Sequence, residues 1–192
     1  MPDQSFPPPA LLPLTALGGH KARVDTVGGL TITERPDVAL ASLARRRDQG
    51  TAAAEAFLGV ALPDVAAWAG KDPFGVFWTG PGQWMVEAPF ASHEDLAARL
   101  KDAVGGSASV TEQTDAWVRF DVEGTTTLAL FERLCLLDIS RLAAGTAHRT
   151  TVEHLGCFVL CRAAGRSFSI LGPRSSAASL HHALLTAARS IS

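Results

Sequence analysis

The side chains with the widest chemical reach in this chain are His148, His154, Cys157 and Cys161. Imidazole and thiolate are zinc ligands, but structural zinc sites use recurrent spacings that this set does not match. Residues 156–162 read as a strand. There Cys157, Val159 and Cys161 share one face while Phe158 and Leu160 take the other. Cysteine is at home in a core as a small apolar side chain. Cys135 falls in the apolar stripe of a predicted helix, where burial raises a thiol pKa and leaves it inert. No GxGxxG follows a predicted strand, and there is no Walker loop, nucleophile elbow or HExxH. Gly80-Pro81-Gly82 is short and proline-blocked, so it reads as a hairpin turn rather than a phosphate cradle. No catalytic residue, cofactor-binding residue or metal ligand is assigned.

The remaining candidates point to contact rather than reaction. Trp78 and Trp84 flank the turn, and a two-stranded hairpin cannot bury two indoles without a partner layer. Either helices of the same chain cover them or they anchor an interface, where tryptophan is enriched. Trp78, Pro81, Gly82 and Trp84 are therefore interface candidates. So are Phe6, Leu11, Leu12 and Leu14, in residues 1–19. The run Pro7-Pro8-Pro9-Ala10-Leu11-Leu12-Pro13-Leu14 is read as an extended arm lying across a partner, because proline lacks the donor and fixes φ. Asp115, Arg149 and Glu153 read as surface charges.

Composition bounds the partners. The 192 residues are 47% hydrophobic, enough for one domain or two small, closely packed ones. Seventeen Lys and Arg stand against nineteen Asp and Glu, for a net charge of −2. Nucleic acid binding needs a basic stripe. The one basic run, Arg45-Arg46-Arg47, is expected on a solvated helix face, so no nucleic acid partner is expected. Three cysteines are too few and odd in number for a disulfide framework, which suits a reducing compartment. No basic n-region precedes the prolines and no window approaches a membrane span. The expectation is a soluble, cytoplasmic protein without a membrane partner.

The elements that must position these residues follow from periodicity. Val24–Thr33 is strand-like with a turn or bulge at Gly28-Gly29, and Pro36 is expected to open a helix running to about Gln49. A second helix carries Ala54, Phe57, Leu58 and Ala61. Strands Phe74–Thr79 and Gln83–Ala88 form the hairpin. Ser92 is the expected N-cap of a helix bearing Leu96, Leu100, Ala103 and Val104, stopped by Gly105-Gly106. Ala116–Val122 alternates as a strand, and a helix with Leu128, Phe131 and Leu134 follows Gly124. Strands at Thr146–Glu153, Gly156–Arg162 and Ser167–Leu171 precede a last helix through Leu180, Leu184, Ala187 and Ile191.

Two segments repeat at an offset of 84 residues. Trp84-Met85-Val86-Glu87-Ala88-Pro89 matches Phe168-Ser169-Ile170-Leu171-Gly172-Pro173, and Leu96 and Leu100 match Leu180 and Leu184. The fold class is therefore α+β. Two similar strand–helix–strand–strand–helix units, with an extra strand in the second, pack into one compact body. Residues 1–19 are the arm, and the body divides into halves of about 20–108 and 109–192.

Taken in order, Phe77-Trp78-Thr79-Gly80-Pro81-Gly82-Gln83-Trp84-Met85-Val86-Glu87-Ala88-Pro89, Asp115-Ala116-Trp117, Leu134-Cys135 with Asp138, and Thr146-Ala147-His148-Arg149-Thr150 with His154 resemble the gamma subunit of heterotetrameric sarcosine oxidase. The likeness spans roughly residues 34 to 190. The family often has proline after the helix cysteine, where this chain has Leu136-Leu137. The resemblance implies a fold related to the folate-binding aminomethyltransferases. It also implies a complex that demethylates sarcosine with oxygen and tetrahydrofolate to glycine, hydrogen peroxide and methylenetetrahydrofolate. The partners it implies are an alpha subunit with NAD and the folate site, a beta subunit with FAD and covalent FMN, and a delta subunit with zinc. The family pattern gives gamma no catalytic residue, so the role implied is a non-catalytic structural subunit. The alternative is a stand-alone folate or one-carbon binding module.

Overall fold

A computed structural model of the chain describes residues 14–192. Phe6, Leu11 and Leu12 lie outside the described residues. Along the chain come β1 (Val24–Val27), β2 (Leu30–Glu34), β3 (Val38–Arg45), α1 (Ala52–Leu58), β4 (Trp68–Lys71), β5 (Phe74–Gly80), β6 (Gln83–Pro89), α2 (Phe90–His93), α3 (Leu96–Val104) and β7 (Ala108–Glu112). Then follow β8 (Trp117–Gly124), α4 (Thr127–Leu134), β9 (Thr146–Val152), β10 (Leu155–Ala163), β11 (Ser167–Pro173) and α5 (Ala177–Ser190). The strands form two antiparallel sheets, ordered β1-β2-β8-β11-β10-β9 and β4-β5-β6-β3-β7.

Side-chain alternation builds four layers from these sheets. Val118, Phe120, Val122, Phe168 and Ile170 point outward under α4 and α5. Ala39, Ala41, Leu43, Val76 and Val86 do the same under α1 and α3. The opposite faces meet each other through Leu40, Phe77, Met85, Phe158, Leu160 and Leu171. Full burial of each such side chain contributes about 1.5–3 kcal/mol, so the inner seam is a third, smaller core.

The repeat holds. Trp84 and Phe168 lie in β6 and β11, Leu100 and Leu184 lie in α3 and α5, and all four are buried. Each unit runs strand–helix–strand–strand–strand–helix: β3-α1-β4-β5-β6-α3 and β8-α4-β9-β10-β11-α5. The extra strand expected in the second copy alone is thus present in both. The strand leading each unit crosses to the other: β2 pairs with β8, and β7 with β3. Along the chain the units meet near residue 108; in space they interlock.

Several local expectations change. Residues 38–45 are a central strand, not a helix. A helix would bury one stripe, but here Ala39, Ala41 and Leu43 face α1 and α3 while Leu40 faces the other sheet, and burial on both faces overrides the helix preference of Ala and Leu. Arg45-Arg46-Arg47 therefore leave the end of a strand, exposed to solvent. β4 and β7 are short and were hidden by glycines and hydroxyl residues. Ser92 does not cap α3; it lies inside α2, and α3 starts after Asp95, which pairs with Arg99 at 2.7 Å.

In the part of residues 1–19 that is described, Thr15–Gly19 is a tight turn rather than an extended arm. Gly18 N–H donates to the Thr15 carbonyl at 3.0 Å, and Ala16 and Leu17 pack on the outer core. The buried Glu34 carboxylate holds the turn, accepting the backbone N–H groups of Leu17 and Arg23 at 3.0 and 3.2 Å.

Candidate functional site

The chemistry-rich region of the described residues is a cluster of charges within the seam between the sheets. Glu87 on β6, Arg119 and Asp121 on β8, Arg162 on β10 and Ser169 on β11 project from the inner faces. Glu87 and Arg162 sit in largely apolar strands, whereas Arg119 and Asp121 alternate with Val118, Phe120 and Val122. Glu87 accepts from Arg119 at 3.1 Å, from Arg162 at 2.8 Å and from the Trp68 indole N–H at 3.0 Å. Arg119 also donates to both oxygens of Asp121, at 2.7 and 3.0 Å. Asp121 further accepts from Arg35 and the Ser169 hydroxyl, each at 2.6 Å, and Arg162 donates to Ser169 at 2.9 Å. The Arg162 guanidinium lies 4.6 Å over the Trp68 ring, a cation–π contact. Gly75 faces Glu87 across the β5–β6 ladder, where a Cβ would come within 2.6 Å of the carboxylate.

Electrostatics follow from this geometry. Burial pushes the Asp121 carboxyl up, but Arg119, Ser169 and Arg35 outweigh it, so its pKa is lowered. Burial pulls the Arg162 guanidinium down against the attraction of Glu87. The depressed Asp121 carboxyl contributes stability above the ordinary carboxylate pKa near 4, and that contribution is lost as pH falls through its folded-state value. Thermal melts at pH 7, 4 and 3 should show a steep loss below about pH 4. Asp121→Asn should melt lower at pH 7 and depend less on pH in that window; an unchanged pH slope would remove Asp121 as a source of acid lability.

Two pockets meet at Arg35, Val38 and Arg119. One, of about 430 Å³, is bordered by Trp68, Lys71, Gly75 and Glu87. The other, of about 590 Å³, is bordered by Leu14, Glu34, Phe90, Trp117 and Arg174. Among the described residues every buried side-chain nitrogen and oxygen has a hydrogen-bond partner. The cluster ties the two sheets together, and its Glu87 and Arg119 also border the first pocket.

The sequence-level candidates lie elsewhere. Trp84 is buried, packed under α1 and α3, with its indole N–H donating to the Pro63 carbonyl at 2.8 Å. Its own chain covers it, the first of the two alternatives. Trp78 is half-buried against the same core, Pro81 is exposed, Gly82 is half-buried, and Leu14 is half exposed at the second pocket's rim. Cys157 and Cys161 are buried on the helix side of β10. Burial pushes the Cys157 thiol up to about 11 and raises those of Cys135 and Cys161, so all three are protonated at neutral pH. Among the described residues no three His, Cys, Asp or Glu side chains gather to hold a metal, and no helix is long and apolar enough to cross a membrane.

Sequence reasoning missed the inter-sheet cluster. Its signal is a charge flanked by apolar residues within a strand, as in Val86-Glu87-Ala88 and Val118-Arg119-Phe120.

No family model matches the chain, and no curated protein matches it by sequence. Solved structures do resemble it. A chain of the heterotetrameric sarcosine oxidase from Corynebacterium sp. U-96, in complex with pyrrole 2-carboxylate, is 22% identical, with a TM-score of 0.76 over 87% of each chain. The glycine cleavage system aminomethyltransferase T from Bartonella henselae is 16% identical, with a TM-score of 0.60 over 85% of this chain and 50% of that one. The fold is aminomethyltransferase-like, and the chain spans about half the length of that transferase.

Proposed function

We propose that this chain is the gamma subunit of a heterotetrameric sarcosine oxidase, a non-catalytic structural subunit that holds its partners in register. The observation that carries the reading is the mutual coverage with the sarcosine oxidase chain, 87% of each at a TM-score of 0.76, against 50% of the aminomethyltransferase. The self-satisfied charge cluster, which ties two sheets and leaves no buried polar side chain open among the described residues, supports a scaffold role. In this reading the assembly demethylates sarcosine to glycine in the cytoplasm. FAD, FMN, NAD, zinc and tetrahydrofolate lie on the alpha, beta and delta subunits.

The test is co-expression of the full tagged chain with the three other subunits. The expected result is a co-purifying complex with flavin absorbance, from a chain that is colourless and binds no folate by itself. A chain that leaves the other subunits behind overturns the proposal. Saturable folate binding by the isolated chain would instead favour a stand-alone one-carbon binding module.

A further inference from the structure

The two lead strands match in sequence as well as in place. Residues 30–34 read Leu-Thr-Ile-Thr-Glu and residues 108–112 read Ala-Ser-Val-Thr-Glu. β2 pairs with β8 so that Ile32 faces Val122 and Glu34 faces Phe120. β7 pairs with β3 so that Val110 faces Leu43 and Glu112 faces Ala41. Beyond β2 lies a further strand, β1, which takes the backbone groups of Leu30, Ile32 and Glu34. Beyond β7 no described segment pairs at all.

The ladder bonds give the parity of that free edge. Arg46 N–H donates to the Ser107 carbonyl at 3.0 Å, and Gln113 N–H to the Leu40 carbonyl at 2.9 Å. Residues 107, 109, 111 and 113 therefore face β3. The N–H and C=O groups of Ala108, Val110 and Glu112 point outward, as those of Leu30, Ile32 and Glu34 point toward β1. The edge is short and ends on the exposed Glu112, but it has no proline, no lysine and an unbroken register. The opposite edges differ, because the start of β9 meets the start of β4 through Trp68 N–H to Gly145 O and Ala147 N–H to Ala66 O.

Charge gives the missing strand a polarity. Arg45, opposite Ala108, and Arg46 and Arg47 beyond it are exposed at the N-terminal end of β7. No carboxylate among the described residues pairs with them within 4.0 Å; Arg46 reaches only the Ser109 hydroxyl, at 3.4 Å. The exposed Glu112 marks the other end. Its counterpart Glu34 grips backbone N–H groups of the segment that carries β1.

We infer that β7 accepts an extended segment of a partner subunit as a sixth strand, antiparallel and acidic at the end that meets Arg45–Arg47. Main-chain pairing supplies the affinity and the arginines set the direction. The inference rests on the subunit reading above and goes beyond it by naming the edge.

The experiment compares amide hydrogen exchange of the full chain alone and in the co-expressed complex. Assembly should slow exchange at Ala108, Val110 and Glu112 at least about tenfold, while Ser109 and Thr111, already in the ladder, change little. Val110→Pro removes one outward donor and no ladder bond, and Arg46→Glu reverses the charge. Each should cut retention of the chain on its partners while its own melting stays near wild type. If the proline variant does not fold, the wild-type exchange and Arg46→Glu still decide. An intact complex in which these three amides exchange as fast as in the free chain overturns the edge and leaves the subunit reading standing. A wild-type chain that forms no complex removes both. Protection already present in an isolated dimer would assign the edge to a second copy and overturn the inference.

Discussion

Glu87→Ala should destabilise the chain by about 3–5 kcal/mol, the usual cost of removing one partner from a buried ion pair. Two guanidinia, Arg119 and Arg162, lose their shared carboxylate, and the Trp68 indole N–H loses its acceptor. The charge balance of the seam then turns positive around side chains that are only 12% and 18% exposed. For a chain of this size such a loss lowers the melting temperature by about 6–20 °C. Glu87→Gln keeps an acceptor for Trp68 and should fall between wild type and alanine. Urea melts of the three proteins measure the series. An alanine variant within about 0.5 kcal/mol of wild type would show that the cluster is no more than a surface network.

Trp84→Ala should cost a similar amount, about 3–5 kcal/mol, by a different route. The indole fills space beneath α1 and α3, and truncation leaves a cavity and an unpaired Pro63 carbonyl. Because the side chain is covered by its own chain, the loss should appear in the isolated protein. Pro81, exposed at the tip of the same hairpin, should tolerate alanine within about 0.5 kcal/mol. Calorimetry of both variants without any partner separates the two positions. If Trp84→Ala melted like wild type and only assembly failed, the indole would be an interface residue after all.

These residues also show what the sequence discloses. The β5–β6 hairpin was legible because Gly80-Pro81-Gly82 separates two apolar runs, and the repeat because Leu96 and Leu100 recur at Leu180 and Leu184. β3 was misread because a strand buried on both faces has no period of two to display, and Val-Ala-Leu-Ala-Ser-Leu-Ala-Arg fits a helix as well. The cluster was hidden for another reason. Glu87 meets Arg119 and Arg162 across strands far apart in sequence, so each reads alone as an ordinary surface charge. The exchange of β2 and β7 between units leaves no local trace, since pairing partners are set by the whole topology rather than by neighbouring residues.

That exchange has a consequence on the ribosome. β2 is made about 90 residues before the end of β8, the strand on which it lies. At about 5–20 residues per second the interval is roughly 5–20 s. For that time Leu30 and Ile32 have no sheet to join, and the five-stranded sheet stays open beside β3 until β7 is made. The six-stranded sheet therefore begins synthesis as the β1-β2 pair alone, and β8 can join it only after every strand of the five-stranded sheet has been translated.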